Sequence, residues 1–199
     1  MNRLPREKKH MALTVDRIAD QALALLDEVG LEGLSTRKLA AALGMQGPSL
    51  YHHFQNKAEL LGHMTARILY RALAPLDRNV AWDVWLRTLS HATRAMTLEY
   101  RDGAMLYASS NPSDEIRRKL LPDMAEPLLR AGFTQLAADQ SISFLGSFVV
   151  GWAVNEQNET VRRLMVSMME MDETFAAGVE TLVQGIAIRN GKSLSTPAG

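Results

Sequence analysis

The sequence predicts an all-α protein: an N-terminal three-helix unit followed by a larger C-terminal helical domain. Three observations predict it. Apolar residues recur at i, i+3 and i+4 along nearly the whole chain, and strand signals are almost absent. Gly and Pro punctuate the periodic segments. Ser, Thr or Asn stands before several of them, where a side-chain oxygen can accept from the free N–H groups of a first helical turn. A chain of 199 residues buries about 70% of its unfolded surface, enough for one or two domains.

The elements follow in order. Thr14 is an N-cap, with Asp16 in the first turn; Ile18, Ala22, Leu25, Leu26 and Val29 then form one apolar face, and Gly30 is a natural stop. Ser35 caps a second helix of about two turns, with Leu39, Ala40 and Leu43 inward and Gly44 at its end. Pro48 suits the first position of a third short helix, because its missing N–H would be unpaired there anyway. Asn56 with Glu59 is a capping box opening a fourth helix that runs up to Pro75. The four-residue turn Gly44-Met45-Gln46-Gly47 between two short helices has the spacing of a helix-turn-helix, whose second helix enters the major groove of DNA.

Longer helices follow. One covers 81–99, with Trp82, Trp85, Leu89 and Met96 among its apolar positions, and "YRDGAML" breaks and restarts the chain. Ser113 caps a helix that Pro122 and Pro127 should kink or split. Thr134 caps a helix over 136–154 that is apolar around most of its circumference, so a core or a partner must bury it. A polar, Met-rich linker over 155–171 leads to a last amphipathic helix, 172–189. The expected organisation is a flexible basic arm (1–13), the helix-turn-helix domain (14–73), a larger helical domain (74–190) and a disordered tail (191–199).

Composition narrows the function classes. No apolar run is long enough to span a bilayer, and no apolar segment follows the basic N-terminus as in a secretion signal. There are no cysteines, which excludes disulfides, thiolate metal sites and a cysteine nucleophile and fits the cytoplasm. Net charge is zero, yet Arg3, Arg6, Lys8 and Lys9 crowd the first ten residues against Glu7, which reads either as a solvated, disordered tail or as an arm for contact with a phosphate backbone. No nucleophile elbow, Gly-rich phosphate loop or metal-spaced His pair is present, so neither an enzyme nor a cofactor is expected. A helical interaction protein without DNA remains a competing class; it would show no salt-dependent affinity for duplex DNA.

The stretch "GMQGPSLYHHFQNK" carries the strongest signal. Counting from Pro48, residues Leu50, His53 and Phe54 share one face, which reads as core, while Pro48, Tyr51 and His52 share the other with Ser49 beside them. Adjacent histidines point apart and make no metal pair. Exposed donors at a helix N-terminus suit phosphate oxygens and base edges. Lys57 adds a cation, and Thr36 and Arg37 open the preceding helix within reach of the same surface; Arg is the side chain best suited to a guanine edge.

The segment "LSTRKLAAALGMQGPSLYHHFQNKAELL" resembles the DNA-binding region of the TetR family of bacterial transcriptional repressors, over about residues 14–70. Residues Tyr100–Leu106 and Gly132–Gln157 resemble, more weakly, the C-terminal domain of the tetracycline repressors. The resemblance implies a cytoplasmic, nucleoid-associated regulator, most simply a repressor with activation as the alternative, that binds double-stranded operator DNA as a homodimer and responds to a small molecule. It implies DNA contacts by Thr36, Arg37, Gly47, Pro48, Ser49, Tyr51, His52 and Lys57. The tetracycline repressors carry Gln at the place of Gly47 and Trp at that of His52, so the operator should differ. Where they hold a drug–Mg²⁺ chelate with histidines and a glutamate, this chain has Leu73, Tyr107, Ser147 and Asn155, a poor set for a hard cation. The expected effector is mostly apolar with one or two polar handles, held by Leu89, Thr93, Met96, Tyr107, Phe144, Ser147, Phe148 and Trp152; plain core is the competing reading of that stripe. The helices 136–154 and 172–189 are the candidate dimer interface, as a four-helix bundle.

Overall fold

The computed structural model describes residues 14–110 and 112–195, and the expected basic arm, 1–13, lies outside them. Ten helices and no strands occur among the described residues: α1 Val15–Gly33, α2 Thr36–Ala42, α3 Gly47–Leu50, α4 Lys57–Leu73, α5 Trp82–Leu98, α6 Gly103–Ser109, α7 Asp114–Arg130, α8 Gln135–Gln157, α9 Glu159–Met168 and α10 Met171–Asn190. The caps read from sequence are in place. Thr14, Ser35, Asn56, Ser113 and Thr134 each accept from the N–H three residues on, at 2.9–3.3 Å. Glu59 completes its capping box one residue early, accepting from the Gln55 N–H at 2.7 Å and not from Asn56.

Two hydrophobic cores organise these helices. The head core joins α1–α4, with Ile18, Leu26, Leu39, Leu50, Phe54 and Met64 buried. The body core joins α5, α7, α8 and α10 around Trp82, Trp85, Leu128, Leu145, Phe175 and Val183. Three helices serve both, α5 among them through Met96, which packs against the head core. Along α4, Leu60, Met64 and Ile68 face the head, and Leu69 and Leu73 face the body. In α6, Leu106 is fully buried in the head core while its neighbour Tyr107 packs on the body core. Tyr100, just before α6, also inserts into the head core.

Four expectations change. Gly30, with φ 70°, breaks the helical path as expected, but a further turn carries α1 to Gly33. The third helix does not begin at Pro48. Gly47 comes first and Pro48 second, and past Leu50 the turn tightens, with Tyr51 N–H to Pro48 O at 3.2 Å and His53 N–H to Leu50 O at 3.0 Å, while Phe54 N–H still reaches Leu50 O at 3.2 Å. Pro122 and Pro127 do not split α7, which runs unbroken. The carbonyls they leave without a donor, on Arg118 and Asp123, belong to residues on the outer side of the helix, and Pro127 itself packs inward. Finally, 155–171 is no linker: α8 continues to Gln157, and Asn158 caps α9 by accepting from the Thr160 and Val161 N–H groups at 3.1 Å each. Val161, Leu164, Met165 and Met168 keep helical spacing there, yet no residue of α9 is buried.

The expected loose tail is also tied down where it is described. Past α10, Lys192 donates to the Ala131 and Gly132 carbonyls at 2.7 and 2.9 Å, and Trp82 Nε1 donates to Ser193 O at 3.3 Å. Ser195 donates through its N–H and its hydroxyl to Asp83 Oδ2 at 3.0 and 2.8 Å. Burial alone would raise the Asp83 carboxyl, but the hydrogen bonds from Arg87 and Ser195 outweigh it and hold it below the usual carboxylate range.

A candidate nucleic-acid interface and a body cavity

The head presents one polar face. Gly44, with φ 66°, ends α2 in the left-handed region. Its N–H donates to Ala41 O at 3.0 Å, and that of Met45 to Ala40 O at 2.9 Å, which turns the chain back into α3. Leu50 and Phe54 are buried and His53 is half-buried, as their shared face requires. Arg37, Pro48, Tyr51 and His52 are exposed, and Thr36, Gly47 and Ser49 are half-exposed around them. Thr36 Oγ1 lies 3.4 Å from the Tyr51 hydroxyl, so α2 and α3 meet on this face. Arg37 has no hydrogen bond or ion pair among the described residues; its guanidinium is free for an outside acceptor. Lys57, though exposed, donates to Leu34 O at 2.8 Å and so braces the end of α1 as well as the start of α4. Lys38 and Gln46 are exposed in the same segment and were not in the expected set. Gln46 takes the N-cap position of α3 without a side-chain capping bond, a signal readable from its place before Gly47-Pro48.

The body encloses a cavity lined by Leu86, Leu89, Ser90, Thr93, Tyr107, Met124, Ile142, Leu145, Gly146 and Val149. About 20 Å³ of it is open to water, room for about one molecule. Of the eight residues expected around an effector, Leu89, Thr93 and Tyr107 meet here. Met96 packs against the head core, Phe148 and Trp152 stack with Phe175 of α10, and Phe144 and Ser147 lie exposed on the outer face of α8. No charged side chain lines the cavity. The Tyr107 hydroxyl has no hydrogen-bond partner among the described residues, and burial pushes its pKa up to about 12. A neutral phenol therefore stands ready to donate at the cavity wall. The missed lining residues were readable as the faces 86-89-90-93 of α5 and 142-145-146-149 of α8, both at helical spacing.

Among the described residues no three His, Asp or Glu converge to hold a metal ion. Of the four positions aligned with the drug–metal ligands of the tetracycline repressors, Leu73 is buried in the body core, Tyr107 faces the cavity, and Ser147 and Asn155 are exposed. They do not form a hard-cation site within the chain. No described helix is long and apolar enough to cross a membrane.

The described residues form a two-core helical fold with a helix-turn-helix face on the head and a small cavity in the body, the build of a ligand-responsive DNA-binding transcriptional regulator. The family model described as bacterial regulatory proteins, tetR family, matches residues 18–64, and the tetracyclin repressor-like C-terminal domain matches 74–164. The class C tetracycline repressor of Escherichia coli is 34% identical over 79% of this chain and 68% of its own length. Among solved structures, a variant of TetR from Acinetobacter baumannii AYE in complex with minocycline superposes with a TM-score of 0.75, at 29% identity, over 94% of this chain and all of its own. BioQ bound to its double-stranded DNA operator gives a TM-score of 0.69 at 26% identity, over 88% of this chain and 99% of its own. The chain belongs to the TetR family of bacterial regulatory proteins.

Proposed function

We propose that this protein is a dimeric repressor, divided near residue 73, whose head holds a palindromic operator and whose body cavity takes a small neutral ligand that releases it. One observation carries the reading: α2 and α3 meet where Thr36 Oγ1 lies 3.4 Å from the Tyr51 hydroxyl, and Arg37, with no partner among the described residues, is exposed there with Pro48, Tyr51 and His52. Arg37 reads a base edge, Thr36, Ser49, Tyr51 and Lys57 hold phosphates, and His52 takes over reading that Gly47, lacking a side chain, cannot supply. One such helix touches few base pairs, so two heads about 34 Å apart are needed for useful specificity. The outer faces of α8 and α10 supply the pairing surface. Phe144, Ser147 and Gly151 are exposed on the first, and Ala177, Thr181, Gly185 and Ile188 on the second, small and apolar side chains that let two copies close into a four-helix bundle.

The uncharged lining of the cavity and the neutral Tyr107 favour a mostly apolar ligand with one hydrogen-bond acceptor over a metal-chelated drug. Such a ligand must bind the operator-free form more tightly in order to release DNA, with α4 passing the change to the head. The protein acts by binding, not by catalysis, where the chromosome lies in the bacterial cytoplasm. Selection of duplexes from a random pool, followed by fluorescence anisotropy across a salt series, tests the reading. Operator affinity should fall steeply as salt rises. Failure to enrich any sequence would overturn it.

A further inference from the structure

We infer that Gln157 is a positioning residue that fastens the body to the head through the turn between α5 and α6. The inference rests on the reading of this chain as a regulator whose body governs its head. The observation is a two-sided amide contact. Gln157, the last residue of α8, donates from Nε2 to Tyr100 O at 2.7 Å and accepts at Oε1 from the Ala104 N–H at 2.9 Å. It therefore satisfies a carbonyl just past α5 and a free donor in the first turn of α6 with one side chain.

What it grips is part of the head. The Tyr100 ring is buried in the head core, and its hydroxyl accepts from Arg71 of α4. Arg71 also pairs with Asp20 Oδ1 of α1 at 3.1 Å, and Arg67 donates to both oxygens of Asp20 at 2.8 and 3.0 Å. Leu106, one turn into α6, fills the same core. The turn has no slack: a Cβ added to Gly103 would run into the Thr97 carbonyl oxygen. Two turns back along α8, Val149 lines the body cavity, and Leu145 and Ile142 continue that wall. One rigid helix thus borders the cavity along its middle and clamps the head's plug at its end. A shift of α8 passes to Tyr100 and Ala104 through Gln157, and from Tyr100 into the α1–α4 ion-pair network.

Amide hydrogen exchange on the full-length protein tests this without any ligand. Gln157→Met keeps the side chain's length and removes both hydrogen bonds. It should speed exchange in Val15–Gly33 and Lys57–Leu73 by about tenfold, while Trp82–Leu98 and Met171–Asn190 keep their rates. Tyr100→Phe keeps the ring but loses the Arg71 contact and should speed the same head segments. The double variant should exceed neither single variant by much, because both act on one chain of contacts. Acceleration confined to residues 100–106, acceleration spread equally over the body helices, or full additivity would each overturn the inference. A parallel anisotropy measurement on a selected duplex separates the two levels: if the unaltered protein binds no DNA, the regulatory reading fails, whereas the exchange pattern judges the clamp alone.

Discussion

The head and the body solve opposite problems. The head displays the groups proposed to meet DNA: Arg37, Tyr51 and His52 stand in solvent on a scaffold whose inner residues are packed. The body hides its own, since Tyr107 and Thr93 face a space with room for about one water. A displayed surface works as it stands, and selection acts on which side chains it carries. A cavity this small takes a ligand only by widening, so on the proposed reading the ligand moves helices and that movement is the signal. The head is also the dependent partner, because it borrows Tyr100 and Leu106 to complete its core.

That dependence can be broken most directly at Trp85, which is fully buried and donates to Met124 O at 2.9 Å. Trp85→Ala should cost about 3–5 kcal/mol and lower Tm by roughly 10 °C in calorimetry, as one cooperative transition that takes the head with it. A head that melts separately would show that the borrowed residues are dispensable.

The next effect probes how dry the cavity is. Burial raises the Tyr107 pKa to about 12, above its unfolded value of about 10. Stability from this group is complete below pH ~10 and is lost as pH rises through 12, roughly 2–3 kcal/mol in all. Tyr100 is also raised by burial and acts in the same direction. The urea midpoint should drop between about pH 9.5 and 11.5, and Tyr107→Phe should flatten part of that slope. An unchanged slope would mean that water already reaches the phenol.

Arg37→Ala sharpens the contrast from the other side. It should weaken operator binding by about 10–100-fold in anisotropy while leaving Tm unchanged, since the side chain has no partner among the described residues. The smallest effect is expected at Gly44, where φ is 66° and an added Cβ would meet no atom within 4 Å. Gly44→Ala has room but the wrong backbone angle, and should cost about 1 kcal/mol by urea denaturation.

The same contrast explains what could be read from the chain alone. Thr14, Ser35, Asn56, Ser113 and Thr134 act on backbone three residues away, so their roles are local and visible in the order of residues. The head's face is equally local, spanning Thr36 to Lys57. The cavity depends on which sides of distant helices meet. Because α8 is apolar nearly all round, its periodicity does not say which face turns inward, and Phe144 and Ser147 look as suitable as Leu145 and Gly146, one residue along. The contact of Asp102 with the Leu31 N–H, 71 positions apart, has no local signature at all. α9 was hidden for a different reason: it has a cap and a stripe but no core to bury it, so its methionines read as linker.

All three tryptophans, Trp82, Trp85 and Trp152, belong to the body, on α5 and α8. The intrinsic fluorescence of the protein is therefore a dial wired to one end only. Its emission should answer to whatever enters or loosens the effector half, while the head has no indole of its own, so DNA is seen only as far as its binding reaches the body.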